Sequence, residues 1–368
     1  MFCRNASLVT VAVEDHYNPT ETDAAGVVFN YSPIILYTVF QVLNVSKMLP
    51  FEVHSRGNLT TNIYASAIIE VSSVIADLIK VIYFGLPILL NHIFRTLVPP
   101  KLKNVSGQTV LISGGGNGLG RALALEFADR GCNVIVVDID LKAAEQTCVE
   151  LREKRVNAYA YRVDVSSYEQ VQTLADDVHK HIGPVDILVN NAALVYFDFL
   201  QNTTPDMVNR TIDINVKSHM WTTKVFLEKM MERRRGHIVG ISSMSGMYAF
   251  PWAVVYSTSK YAVNGFMAAI TEQLRLQGFS NSIQTTCVCP YYIATRKDIV
   301  DFLKKPRFKL LTTEHTARVI IDGILRNQVT IAIPPFFDLG VRIMQLFPIK
   351  IQQLVRDYII REYELNST

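Results

Sequence analysis

The chain of 368 residues lacks, first, an excess of either charge. Its 36 Lys and Arg stand against 33 Asp and Glu, a formal +3 that is too small for an electrostatic footprint on nucleic acid. Cysteines are few. The five, Cys3, Cys132, Cys148, Cys287 and Cys289, include no Cys-x-x-Cys pair, so neither a zinc site nor a disulfide framework is signalled; no metal is expected, and the folded part is expected in a reducing compartment. Residues 1–23 are mixed and acidic, without the cationic start, short apolar core and small-residue cleavage site of a leader, and a cleaved signal peptide is not expected. No internal repeat or low-complexity tract is visible. Sequons such as Asn104-Val-Ser and Asn209-Arg-Thr matter only in a secretory lumen and are set aside.

What is abundant is apolar. Hydrophobic residues make up 49% of the chain, and its length exceeds the roughly 250 residues of one large core. The stretch 24–46 has no charged residue but is diluted by Asn30, Ser32, Pro33, Thr38 and Gln41, which leaves a spanning helix and an ordinary segment equally open. In 63–98, Glu70, Ser73, Asp77 and Lys80 fall on one stripe at helical spacing while the other faces are mostly apolar. The uncharged run 81–94, VIYFGLPILLNHIF, is shorter than the roughly 20 residues a bilayer takes, so with the turns before it the segment spans or enters as a re-entrant loop. Pro87 would kink it. The alternative is an amphipathic helix buried against the domain.

Arg95, Lys101 and Lys103 follow, and the positive-inside bias puts the rest of the chain in the cytosol. Pro99-Pro100 reads as a boundary. The expected organisation is an N-terminal extension over 1–60, a hydrophobic anchor over 61–100, a catalytic domain over 101–335 and an apolar, amphipathic tail over 336–368. That tail reads as an interfacial helix near the substrate mouth or as a dimer contact.

Beyond the boundary, Val/Ile-rich runs at 109–113, 133–138, 158–164, 186–190, 237–242 and 282–289 alternate with helical patterns such as 119–129, 143–154 and 169–181. This alternation predicts an α/β, doubly wound Rossmann fold with a parallel sheet covered on both faces. The first strand ends in Ser113-Gly-Gly-Gly-Asn-Gly-Leu-Gly120 and a helix follows. Glycines let the backbone approach a pyrophosphate, whose charge the free N–H groups of the helix meet. At the end of the second strand, Asp138 can accept from ribose hydroxyls and would repel a 2′-phosphate, favouring NAD(H) without excluding NADP(H); the lesser reading makes it a helix cap, a role that suits Asp140 better if the helix begins one residue later. Further on, VVYSTSKYAV sets Tyr256 and Lys260 four residues apart, on one face of a helix. A phenol titrates near ~10, and a nearby ammonium would favour the phenolate.

The spacing Ser-Gly-x-x-x-Gly-x-Gly together with Tyr256-x-x-x-Lys260 resembles the short-chain dehydrogenase/reductase family, over about residues 106–334. The resemblance implies an enzyme that moves a hydride between a nicotinamide cofactor and an alcohol/carbonyl pair. It implies Asn215, Ser243, Tyr256 and Lys260 as catalytic residues: Tyr256 as acid/base, Ser243 holding the substrate oxygen, and Asn215 holding a water that links Lys260 to solvent. It implies Ser113, Gly114, Asn117, Gly118, Leu119, Gly120, Asp138, Asp164, Val165, Asn191, Tyr256, Lys260, Pro290, Ile293 and Thr295 around the cofactor. Within this set Asp164 matches the acid at adenine, and Asn190-Asn-Ala-Ala193 matches the NNAG motif.

Three departures stand out: Ser113 for threonine, Ala193 for the last glycine of NNAG, and Tyr291 for the glycine of the usual Pro-Gly, the last altering the substrate side. Val98-Pro-Pro-Lys-Leu-Lys, Trp221-Thr-Thr-Lys-Val-Phe and Gly236-His-Ile-Val look like the membrane-bound branch of retinal reductases, epidermal retinol dehydrogenase and lipid-droplet 17β-hydroxysteroid dehydrogenases. That implies a lipophilic substrate, most of all retinol/retinal or a steroid, and the endoplasmic reticulum membrane or lipid-droplet surface, with the catalytic domain facing the cytosol. A homodimer is possible and no nucleic-acid partner is expected. The rival readings are a fatty aldehyde or other lipid ketone reductase, and a dormant lipid-surface binding protein.

Overall fold

The computed structural model describes residues 59–295 and 309–360, and the possible span at 24–46 lies outside them. The described chain divides at Val98/Pro99. Before the division stands one helix, α1 (Leu59–Leu97), continuous through Pro87. Its stretch Val71–Arg95 has a mean hydropathy of 1.9, and none of it is buried. Twenty-five helical residues rise about 37 Å, more than the ~30 Å hydrocarbon core of a bilayer. The run 81–94 alone is too short for that, but in α1 it is continuous with the helical turns before it. Lys80 is paired with Asp77 at 2.9 Å, so the stripe read from the sequence carries its own charge compensation.

From Pro99 on, seven parallel strands alternate with helices: β1 (Thr109–Ser113), α2 (Gly118–Ala128), β2 (Asn133–Asp138), α3 (Leu141–Glu153), β3 (Ala158–Arg162), α4 (Tyr168–His181), β4 (Ile187–Asn190), α5 (Pro205–Ile212), α6 (Ser218–Glu232), β5 (Gly236–Ile241), α7 (Val254–Leu276), β6 (Ile283–Pro290), α8 (Thr313–Leu325), β7 (Thr330–Ile333), α9 (Phe336–Met344) and α10 (Ile349–Ile360). The sheet order is β3-β2-β1-β4-β5-β6-β7. β1 therefore pairs with β2 on one side, Val110 opposite Val134, and with β4 on the other, Val110 opposite Ile187. The chain reverses its winding between β1 and β4, and in such sheets a crevice opens there beyond the carboxyl ends of the strands.

Alternation along each strand builds two cores. Val110 and Ile112 face α2, α3 and α8, where Leu123, Phe127, Leu151 and Ile320 are fully buried. Leu111 faces the other way, with Leu188 and Ile238, onto α4, α6 and α7. Both faces are covered, so each strand reads as an unbroken apolar run. Strand boundaries fall within two residues of the sequence expectation. β7 was not expected: its four residues, TIAI, are too short to stand out from the sequence, and pairing with β6 forms them.

Two local features matter for the site. Between α5 and α6 the chain makes a π turn over Asp213–Lys217 that buries Asn215, a widening of the helix common at functional positions. At the opposite end of the sheet Lys103 Nζ lies 2.7 Å from His237 Nδ1 and donates to Asn327 Oδ1 at 2.8 Å. Burial lowers this lysine's pKa to about 8.

Candidate active site

The turn after β1 is shaped by backbone that few side chains tolerate. Gly118 opens α2 at φ +54°, and a Cβ there would meet only Thr295, at 3.5 Å. At Gly120 a Cβ would stand 2.0 Å from the carbonyl oxygen of Gly114, so helix and loop close on each other only with glycine. Asn117 occupies the N-cap position but makes no side-chain cap, leaving the first N–H groups of α2 to a ligand. Ser113 Oγ accepts from the backbone N–H groups of Asn191 and Ala192 at 3.0 and 3.1 Å. Asn191 Nδ2 in turn donates to the carbonyls of Ser113 and Gly114, each at 3.0 Å. A serine does the work of the expected threonine because only the hydroxyl is used.

Asp138 ends β2 and braces this loop. Its carboxylate accepts from Gly116 N–H at 2.9 Å and from Asp140 N–H at 3.1 Å. Capping of α3 falls to Asp140, which accepts from Lys142 and Ala143 N–H, so the cap reading of Asp138 gives way. Asp164 accepts from Ser166 N–H and Oγ at 2.9 and 2.6 Å, and Val165 beside it is buried. A bare helix N-terminus, a carboxylate at the end of β2 and a small-residue loop between them fit a dinucleotide at the β1–β3 ends.

At the β4–β6 ends lies a cavity of about 220 Å³, whose walls include Leu119, Asn191, Ser243, Tyr256, Lys260 and Thr295. Pro290 and Ile293 also line it. Of the residues singled out in the sequence, those on the loops after β1, β2 and β3, Ser113, Gly114, Asn117, Gly118, Gly120, Asp138, Asp164 and Val165, are not among its walls, and neither is Asn215. Val195, Phe197, Phe250 and Tyr292 are wall residues. Tyr292 stands beside Tyr291, the departure read from the sequence as altering the substrate side, and Phe250 lies in the loop after Ser243, whereas nothing is read from the sequence at Val195 and Phe197. The signal for them is the apolar run directly after Asn190-Asn-Ala-Ala193.

Tyr256 and Lys260 lie one turn apart near the start of α7, and Ser243 directly follows β5. The Ser243 hydroxyl is close enough to the Tyr256 phenol to pull its pKa down, and Ser243 Oγ accepts from Ser245 N–H at 3.1 Å. Lys260, 1% exposed, donates from Nζ to the Ile241 carbonyl at 2.9 Å, with the ammonium 5.5 Å from the centre of the Tyr256 ring. Burial pushes the Tyr256 phenol up to about 12, against a downward pull from the Ser243 hydroxyl, and lowers Lys260 to about 8. The expected depression of the phenol by the ammonium is thus outweighed here by desolvation, because the ammonium is directed to a carbonyl and lies beside the ring.

Asn215 is fully buried. Its Oδ1 accepts from Leu194 N–H at 2.7 Å, and its Nδ2 donates to the Leu194 carbonyl at 2.8 Å and to Ser259 Oγ at 3.0 Å. It clamps the backbone after β4 against α7. Ser259, which also donates to the Tyr256 carbonyl at 2.7 Å, is a partner the sequence reading missed, and only its position next to Lys260 could have flagged it. Among the described residues no cluster of three or more His, Cys, Asp or Glu could hold a metal ion.

Fold and cavity together describe a dinucleotide-binding sheet with a hydroxyl pair and an ammonium at its switch point. Residues 108–302 match the family described as short chain dehydrogenase. The chain is 36% identical over 262 residues to 17-beta-hydroxysteroid dehydrogenase 13 of Homo sapiens, covering 70% of this chain and 85% of that one. It is 34% identical over 275 residues to estradiol 17-beta-dehydrogenase 11 of Rattus norvegicus, covering 74% and 90%. A short chain dehydrogenase/reductase from Burkholderia phymatum, solved in complex with NAD, shares the fold with a TM-score of 0.61 at 24% identity, over 68% of this chain and 96% of that one. The chain belongs to the short-chain dehydrogenase family. It is accordingly an oxidoreductase that acts on an alcohol/carbonyl pair with a nicotinamide cofactor.

Proposed function

We propose that this chain is a membrane-anchored oxidoreductase for a lipophilic alcohol/carbonyl pair, a steroid or retinol/retinal. The observation that carries the reading is the convergence of Ser243, Tyr256 and Lys260 on one cavity that Phe197, Phe250 and Tyr292 make largely apolar. Such walls suit a flat hydrophobic ligand. The names of the relatives, a hydroxysteroid and an estradiol dehydrogenase, support a ligand of that class.

A bound nicotinamide ring supplies or accepts the hydride. The chain's own residues handle the oxygen. Ser243 donates to the substrate oxygen and stabilises charge that develops there. Tyr256 gives its phenolic proton to that oxygen in reduction and takes it back in oxidation. Lys260 holds positive charge beside the ring, and Asn215 keeps the wall at Leu194 in register with α7. Asp138, free of a basic neighbour among its hydrogen-bond partners, disfavours a 2′-phosphate and makes NAD(H) the preferred cofactor. Residues 61–100 act as the anchor, 101–335 as the catalytic unit facing the cytosol at the endoplasmic reticulum or a lipid droplet, and 1–60 and 336–368 as extensions.

The test uses membranes from cells expressing the full chain or Tyr256→Phe, assayed with retinol, retinal, a 17-ketosteroid and a fatty aldehyde, each with NAD(H) and NADP(H). Turnover of a steroid or retinoid that disappears in the variant supports the reading. Turnover of the aldehyde alone would move the substrate class, and cofactor binding without any turnover would favour a lipid-surface binding protein.

A further inference from the structure

Exposed large apolar side chains are unevenly distributed. Among the described residues from Pro99 to the end of β7 they occur singly along the chain, as at Leu102, Val149 and Leu276, and single ones need no partner. After β7 they crowd together. Phe336, Leu339 and Ile343 of α9, Leu346 and Phe347 in the turn and Leu354 of α10 are all more than two-fifths exposed, with Leu346 at 84%. Positions 336, 339 and 343 share one stripe of α9.

Of the same two helices, α9 touches a wall of the candidate active site and α10 reaches one through Tyr248. The Phe337 ring stacks on Tyr291 at 5.3 Å with the planes 11° apart, and Tyr291 lines the cavity. The Tyr248 hydroxyl donates to the Gln352 carbonyl at 3.1 Å, and the Arg356 guanidinium lies 4.8 Å from the centre of the Tyr248 ring. Tyr248 in turn meets Phe250, another wall residue, edge to face at 6.3 Å. Lys350 and Arg356 are interspersed with the apolar side chains, with Asp357 beside them, and Arg342 is paired with Asp338 at 2.9 Å. Exposed apolar side chains with cations among them are what the boundary of an anionic lipid layer takes up.

We infer that α9 and α10 dock on a lipid surface and form the rim through which substrate passes from the lipid to the cavity without crossing water. The inference rests on the reading of a lipophilic substrate and a membrane-held chain. It adds the surface that meets the lipid and the wall it adjoins, Tyr291, with Phe250 reached through Tyr248.

The test reconstitutes the full chain in phosphatidylcholine vesicles containing phosphatidylserine, with Leu346→Trp or, in α1, Phe84→Trp as reporter and bromine-labelled lipid as quencher; the unsubstituted chain, with Trp221 and Trp252, sets the background. Docking predicts quenching of both reporters. Quenching at position 84 but not at 346 overturns the docking and leaves the anchor standing, whereas quenching at neither overturns the anchor as well. A second arm combines Leu339→Ser, Leu346→Ser and Leu354→Ser, three exposed positions that are not walls of the cavity. The expected result is a KM about tenfold higher for a long-chain alcohol partitioned into the vesicles, with kcat unchanged and a short water-soluble alcohol unaffected. An equal loss on both alcohols, or self-association that the triple variant abolishes, would overturn the proposal in favour of damaged folding or of a second copy on this face.

Discussion

On the β1–β3 side the loops are fixed by short polar contacts: Ser113 with Asn191, Asp138 with Gly116, and Asp164 with Ser166. On the β4–β6 side the cavity wall holds aromatic rings brought from distant parts of the chain, as Phe197 and Phe250 both meet Tyr292. A loop held by backbone and carboxylate bonds accepts few alternatives, because each lost partner strands a buried polar group. A wall of rings can be reshaped one side chain at a time at modest cost. The cofactor side is the fixed part of this enzyme and the substrate side the adjustable one.

The largest way to break the comparison is chemical. Tyr256→Phe keeps the ring and removes the proton, so turnover should fall by about 10²- to 10⁴-fold, while binding of reduced cofactor, read by its fluorescence, stays within a factor of a few. Unchanged turnover would remove Tyr256 from the reaction.

Next comes the fixed side. Gly120→Val drives side-chain carbon into the Gly114 carbonyl and should cost about 1–3 kcal/mol of stability, together with cofactor affinity. Phe197→Leu on the adjustable side should shift substrate preference and leave cofactor affinity alone. If the two variants behave alike in thermal unfolding and cofactor titration, the division into fixed and adjustable sides is wrong.

Asp138→Ser tests the carboxylate itself. It should raise affinity for NADP(H) relative to NAD(H) about tenfold or more, measured as the ratio of the two KM values, because the repulsion of a 2′-phosphate is gone. An unchanged ratio would leave Asp138 as a loop brace only.

Burial of Lys260 sets a pH dependence. Its pKa is about 8 in the fold and ~10.4 in an unfolded chain, so between those values the unfolded state binds more protons and stability rises with pH. Lys103, lowered to about 8 as well, acts in the same direction, whereas the buried thiols of Cys132 and Cys148, raised to about 12 and about 11, oppose above ~8.5 and Tyr256, raised to about 12, above ~10. Lys260→Met should therefore make the slope of unfolding temperature against pH between 8 and 10 less positive than that of the unsubstituted chain. The smallest effect is expected at Asp140→Ala, about 1 kcal/mol from the lost α3 cap, with catalysis unchanged.

How much of this was legible depends on how local each cause is. The glycine loop, Asp138 and the Tyr256/Lys260 pair could be read because one helix or one strand-turn-helix fixes their spacing. So could the parallel sheet, since strands buried on both faces read as apolar runs. β7 could not, because four residues acquire their identity only from β6. The direction of Lys260 was hidden for a related reason: spacing puts its ammonium near Tyr256, but the carbonyl of Ile241, on another element, decides where it points. Asn215 was found by resemblance, while its clamp on Leu194 depends on the π turn, which no sequence pattern announces.

The pairing of β1 with both β2 and β4 also sets a timetable for synthesis. A ribosome moving at about 5–20 residues per second reaches β2 within seconds of β1. The other neighbour is β4, paired Val110 to Ile187, and it arrives several seconds later still. During that interval β1, buried along its whole length in the finished sheet, has one open edge, a template for pairing with the wrong chain. The centre of the finished enzyme is thus its most vulnerable point while it is being made, and substitutions that slow α3 or α4 into place would show as lost yield before they show as lost activity.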